Sequence, residues 1–243
     1  MHILIVGARG MLGEELSKVL SEEHTLTLWD IEDIDITQRE NTLNKVRGLG
    51  PDIVLNTAAL VDVDKCEQNP DAAWAINTVG AQNLAIASHA VDAQLLFIST
   101  DYVFDGNSPK DYTEADPPNP INVYGQTKHA AEQLVRQICP QSYIVRTSWL
   151  YGHRSGNYID RVLNAAREKG VVKMAEDQLE APTYTVHLSE AIRALLRTGA
   201  YGTYHIASTG FCTRVEFARE VMRLAGRTEP VEELGPADIK RVA

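Results

Sequence analysis

Two residues in the run Tyr124-Gly125-Gln126-Thr127-Lys128 have the types and spacing for proton transfer. Four positions apart on a helix, Tyr124 and Lys128 share one face. A free phenol titrates near pH ~10 and is a poor acid or base at neutral pH. A neighbouring ammonium favours the phenolate and would lower that value. Such a tyrosine can give its proton to a carbonyl oxygen as hydride reaches the carbon. By itself the spacing suits a surface pair equally well, so its meaning depends on its surroundings. Ser99 and Thr100 end an apolar run upstream, and either hydroxyl could polarise the same carbonyl or cap the strand end. Side chains alternate along a strand, so only one of the two is expected to face the site.

A second constellation is the turn Gly7-Ala8-Arg9-Gly10-Met11-Leu12-Gly13. Glycines allow a tight turn and a close approach of backbone to a pyrophosphate, and a helix N-terminus offers that anion free N–H groups. A lone glycine pattern can be a turn that packs well. Here it follows the β-branched run 3–6 and opens a helical apolar pattern at Leu12, Leu16, Val19 and Leu20. An acid, Asp30, ends the next strand-like run, which completes a dinucleotide-binding pattern. Asp30 can accept from an adenosine ribose and would repel a 2′-phosphate, which leans toward NADH over NADPH. Arg9 could pair with such a phosphate or stand as a solvated loop charge. Lys128 is placed to hold the nicotinamide ribose.

The elements that must position these residues alternate. Strands are expected at 3–6, 26–29, 52–56, 95–99 and 142–147. Helices are expected after the glycine turn, over 71–90 behind the Asn69-Pro70 cap, and over 123–138. Fully apolar strands alternating with helices imply an α/β fold, a Rossmann-type doubly wound parallel sheet covered on both faces. Residues 106–120 hold four prolines and no periodicity, so a surface loop should precede the Tyr124 helix. After residue 150 the pattern loosens, with helices near 158–168, 187–197 and 214–224 and short strands near Val171 and Tyr204. The reading is a dinucleotide-binding domain at 1–150 and a small C-terminal substrate-binding lobe at 151–243, interleaved with it.

The chain has 243 residues, 44% hydrophobic and 23% charged, enough for a packed core. A formal net charge of −10 disfavours a broad grip on nucleic acid. Cys66, Cys139 and Cys212 are far apart, which suggests neither a disulfide framework nor a metal site. No apolar run reaches the ~18 residues that span a bilayer. The apolar start at 1–7 is too short for a signal peptide, so a cytoplasmic protein without membrane association is expected.

Together these motifs resemble the extended short-chain dehydrogenase/reductase family, from residue 3 to about residue 220. The most specific piece is STDYVFDG at 99–106. NTAALVDVDKCE at 56–67, AINTVG at 75–80, YGQTKHAAE at 124–132, RTSWLYG at 146–152 and DQLEAPTY at 177–184 support it. The resemblance implies that Thr100, Tyr124 and Lys128 form the catalytic set. It implies a cofactor pocket of Gly7, Gly10, Met11, Leu12, Asp30, Asp35, Ile36, Ala58, Ala59 and Asn77, with Tyr124 and Lys128. Val61, Tyr102, Trp149, Asp177 and Gln178 would lie near the nicotinamide or the sugar, although Trp149 also suits a core and Asp177-Gln178 a turn. Related sugar-nucleotide dehydratases carry T-D-E where this chain has Thr100-Asp101-Tyr102, so ketone reduction fits better than loss of water.

The implied reaction is NAD(P)H-dependent reduction of the C4 ketone of dTDP-4-dehydro-6-deoxy-L-mannose to dTDP-L-rhamnose, by a monomer or homodimer. A reductase or epimerase for another nucleotide sugar is an alternative. Another is a non-catalytic NAD(P)-binding subunit like the regulatory β subunit of methionine adenosyltransferase. Two departures stand out. Glu180 occupies a place where the family carries glycine, so a different loop is expected there. The family pattern also implies an R-P-x-N-S-x-L-type segment beyond Ala243, closing the nucleotide-sugar lobe.

Overall fold

A computed structural model describes residues 1–175 and 179–234. The first half runs β1 (His2–Val6), α1 (Met11–Leu20), β2 (Thr25–Trp29), α2 (Arg39–Leu49) and β3 (Ile53–Asn56). It continues through α3 (Val63–Gln68), α4 (Pro70–Ala73), a π-helical turn (Trp74–Gly80), α5 (Ala81–His89) and β4 (Gln94–Thr100). A 3₁₀ turn (Asp101–Val103) and α6 (Val123–Ile138) lead to β5 (Ser142–Thr147). The second half holds β6 (Leu150–Tyr151), α7 (Tyr158–Lys169), β7 (Val172–Ala175), β8 (Leu179–Glu180), β9 (Thr183–Tyr184) and α8 (Thr185–Leu196). It ends with β10 (Gly202–His205), β11 (Cys212–Thr213), α9 (Arg214–Leu224) and β12 (Val231–Leu234).

Six parallel strands form the main sheet in the order β10-β5-β4-β3-β1-β2. The inner strands β3 and β5 are buried at every position, while the edge strands β2 and β10 are not. That is the pattern of a sheet covered on both faces. One core packs α2, α5 and α6 against Leu4, Val54, Leu95 and Phe97. The other packs α1 and α8 against Ile3, Ile5, Leu55 and Tyr143. Residues after 150 therefore serve two bodies. Helix α8 lies on α1 and β10 joins the sheet, whereas α7, α9, β7 and β12 enclose a separate cluster around Val162, Val172 and Met222.

The strand order reverses between β1 and β3. Ligands of open parallel sheets lie at the carboxyl ends of the strands beside such a switch point. Gly7 follows β1 there, and Thr57 follows β3. The Thr57 hydroxyl donates to the Val6 carbonyl at 2.9 Å and to that of Gly7 at 3.0 Å, tying the two strand ends together.

The helix expected over 71–90 is broken by the π turn at Trp74–Gly80. Gly80 explains the close packing at its end: a Cβ there would lie 2.5 Å from the Ile36 side chain. The sharp approach of chain 34–36 thus depends on a residue without a side chain. Glu180 does not bend its loop into a left-handed conformation. It takes an ordinary strand conformation in β8, opposite Cys212 of β11.

Candidate active site

The glycine turn packs tightly against the loop after β3 and opens α1. Gly7 has φ of 82°, and a Cβ there would lie 2.7 Å from the Ala58 nitrogen, so no other side chain fits. Gly10 caps α1 without a side-chain hydrogen bond, which leaves the first-turn N–H groups of Met11 and Leu12 without a side-chain acceptor among the described residues. The Leu12 side chain is buried in the core, so its contribution to the turn is its backbone. A dinucleotide pyrophosphate fits this cradle and its dipole.

Beside it, Asp30 accepts from the Arg9 backbone N–H at 2.8 Å and from that of Ile31 at 2.9 Å. The Arg9 guanidinium pairs with Glu32 at 2.7 Å and with Asp33 at 3.4 Å. Arg9 is therefore an exposed loop charge held by two carboxylates. Asp35 accepts both bonds of Thr37, and these hold its carboxyl below the usual range. Ile36 is buried in the core against Gly80.

The loop after β3 carries Ala58, Ala59 and Val61. The first two are half-buried and Val61 is exposed. Asn77 is fully buried within the π turn, and its amide spans two elements. It donates to the Leu60 carbonyl and to the Thr127 hydroxyl, both at 3.1 Å, and accepts from the Leu60 N–H at 2.8 Å. It fastens the 58–61 loop to α6, and π turns commonly mark functional sites.

The N-terminus of α6 is fixed three times. Asn122 accepts from Gly125 N–H at 2.8 Å, and Glu67 accepts from Val123 N–H at 2.6 Å. Gly125 lies so close to the Tyr102 carbonyl that a Cβ would fall well inside 3.0 Å. That approach brings Tyr124 to the end of β4. Its ring meets Tyr102 edge-on at 5.7 Å, and its phenol shares a hydrogen bond with Thr100. Thr100 is the strand-end hydroxyl that faces the site. Ser99 faces the other way and donates to buried Glu132 at 2.5 Å.

The expected electrostatics of the pair differ from those found. Burial pushes the Tyr124 phenol well up, and the hydrogen bond with Thr100 opposes this only in part. Lys128 is not among the main influences on that shift. Its own pKa is pushed down to about 7 by burial, with Glu132 opposing, and its ammonium lies 4.0 Å over the Phe97 ring. Desolvation of both groups outweighs their mutual effect. The Tyr124 phenol thus keeps its proton at neutral pH.

Glu132, one turn beyond Lys128, is held by Arg146 in a bidentate pair at 2.7 and 2.9 Å. Glu132, Arg146, Gly125, Asn122 and Glu67 were not singled out from sequence. Glu132 had one visible signal, its place four residues after Lys128 on the same helical face.

A stability effect follows from Lys128. The unfolded chain keeps this proton up to near 10.5, and the folded chain releases it near 7. Between those values the unfolded state binds more protons, so the cost of Lys128 burial grows as pH falls and is complete below about 7. Lys128→Met is expected to raise the melting temperature of the free protein most below pH 7 and least toward pH 10.5, while activity is lost. Melts across that pH range check it; a gain independent of pH would contradict it.

On the substrate side, Trp149 has φ of 37°, a left-handed backbone that a bulky residue rarely adopts. Its indole is held by Tyr158 at 5.1 Å and Phe217 at 5.0 Å. Backbone strain of this kind is worth about 1–3 kcal/mol and clusters at functional sites. Asp177 and Gln178 lie outside the described residues.

A family model described as the RmlD substrate binding domain matches residues 1–243. The chain belongs to this family. Among RmlD-family relatives, the dTDP-4-keto-6-deoxy-D-glucose reductase of Streptomyces niveus is 38% identical, over 94% of this chain and 81% of its own. The dTDP-4-dehydrorhamnose reductase of Escherichia coli (strain K12) is 35% identical, over 93% of this chain and 78% of its own. The structure of a dTDP-4-dehydrorhamnose reductase from Bacillus anthracis in complex with NADP superposes with a TM-score of 0.96. It shares 37% identity and covers all of this chain, which spans 86% of it. Among the described residues, no helix is long and apolar enough to cross a membrane.

Proposed function

We propose that this chain reduces the C4 ketone of dTDP-4-dehydro-6-deoxy-L-mannose to dTDP-L-rhamnose with a nicotinamide cofactor. The observation that carries the reading is the placement of the Tyr124 phenol beside the Thr100 hydroxyl at the carboxyl end of β4. The reduced nicotinamide, when bound, supplies hydride to C4. Tyr124 gives its proton to the C4 oxygen, and Thr100 holds that oxygen in place. Lys128 holds the nicotinamide ribose from the next turn of α6. Orientation and preset hydrogen bonds, not covalent chemistry, carry the rate. Residues 1–150 hold the dinucleotide and the lobe after 150 holds the nucleotide sugar, with Val61, Tyr102 and Trp149 beside the sugar or nicotinamide. With these two small molecules as reactants, the reaction is expected in the cytoplasm. The test is oxidation of NADH and NADPH by this protein with that ketone, with the product identified by mass spectrometry. Absence of ketone-dependent oxidation overturns the reading.

The preferred cofactor is NADH. Asp30, Glu32 and Asp33 cluster just after β2 beside the glycine turn, and Arg9 is already paired with two of them. Like charge so placed disfavours the phosphate. The ratio of kcat/KM for NADH to that for NADPH is expected to exceed one. Replacing Glu32 and Asp33 with Gln and Asn should lower it by freeing Arg9. A wild-type preference for NADPH would contradict the assignment.

A further inference from the structure

Asp101 has no part in the reduction as derived above, yet it touches the catalytic threonine. It opens the 3₁₀ turn directly after Thr100. The Thr100 hydroxyl lies 3.0 Å from Asp101 Oδ1, accepts from the Tyr102 N–H at 3.2 Å and shares a bond with the Tyr124 phenol. A hydroxyl has one proton to give. An ionised carboxylate only accepts, so it takes that proton and leaves Thr100 facing a carbonyl oxygen with lone pairs. A protonated carboxyl can instead donate to Thr100 Oγ1, and the threonine proton is then free to turn into the crevice.

We propose that Asp101 is a positioning residue that acts through Thr100: protonated, it turns the threonine proton toward the substrate oxygen, and ionised, it withdraws it. The proposal rests on the reductase reading. The surroundings of Asp101 fit a carboxyl that changes state near neutrality. Burial and the charge of Glu180 push it up to about 7, and hydrogen bonds from Thr100 and from the backbone N–H groups of Asp101 and Tyr102 oppose them. Glu180 approaches from β8 and is paired at 3.3 Å with Arg214 of α9. Among the described residues, Tyr124 of α6 and Tyr102 also face this corner, and Cys66 of α3 acts on Tyr124.

The experiment is the pH profile of kcat at saturating ketone and cofactor, each protein normalised to its own maximum. Wild-type protein is expected to lose turnover on the alkaline side through an ionisation of Asp101. In Asp101→Asn the amide oxygen keeps the backbone N–H groups, so its NH₂ faces Thr100 and cannot ionise. That ionisation should vanish from the profile. Glu180→Gln removes a negative charge near Asp101 and should move the midpoint to lower pH. Lys128 also titrates near 7, but its shift comes from burial and Glu132, not from Glu180. An alkaline limb unchanged in both variants would belong to Lys128 and overturn the proposal. If Asp101→Asn fails to fold, the Glu180→Gln shift decides alone. No ketone-dependent turnover by the wild-type protein would overturn the reductase reading, a separate outcome from an unchanged profile.

Discussion

Replacing Tyr124 with Phe is expected to lower kcat by about 10²- to 10⁴-fold, the usual contribution of a positioned general acid. The phenylalanine ring keeps the edge-on contact with Tyr102 and the packing against Cys66 and Ala73. Only the hydroxyl is lost, together with its bond to Thr100. One neutral hydrogen bond is worth about 1 kcal/mol net, so the fold should persist. The glycine turn and α1 are untouched, and the dissociation constant for the dinucleotide should change little. Stopped-flow measurement of ketone-dependent oxidation, with calorimetric titration of the cofactor, separates the two effects. Turnover within tenfold of wild type would show that the proton comes from another group. Equal loss of cofactor affinity would show that the phenol is a binding group.

The parts of this site that sequence made legible share a physical cause. Strands β3 and β5 are buried on both faces, so their residues form unbroken apolar runs that stand out. The glycine turn was visible because its steric demands exclude other residues. Helix α2 was not visible, since only Thr42 and Val46 are buried along it and no apolar stripe forms. The π turn at Trp74–Gly80 escaped because one extra residue per turn leaves an alanine-rich pattern unchanged. The link from Lys128 through Glu132 to Arg146 joins α6 to β5 across the fold, and pairing at that range has no local signature. Spacing correctly put Tyr124 and Lys128 on one helix. It could not reveal that both would be desolvated, which reverses the expected shift of the phenol.

Gly125→Ala should be nearly as damaging as loss of the phenol, although it removes no reacting group. A Cβ at 125 would fall well inside 3.0 Å of the Tyr102 carbonyl oxygen, with the Pro120 side chain at 3.0 Å on the other side. Backbone on one side and a proline ring on the other leave no flexible atom to give way. The start of α6 must therefore move off the end of β4, against the caps from Asn122 and Glu67. Tyr124 is the preceding residue and moves with it, away from Thr100. A displacement of about 1 Å at a reacting group costs on the order of 10²-fold in rate. The expected result is a kcat loss of about that size and a lower melting temperature, with cofactor affinity kept because the glycine turn lies on another strand. The change should also combine non-additively with Tyr124→Phe, since a proton donor already absent cannot be misplaced. Multiplicative losses in the double variant would place the effect of Gly125 elsewhere than at the Tyr124–Thr100 contact.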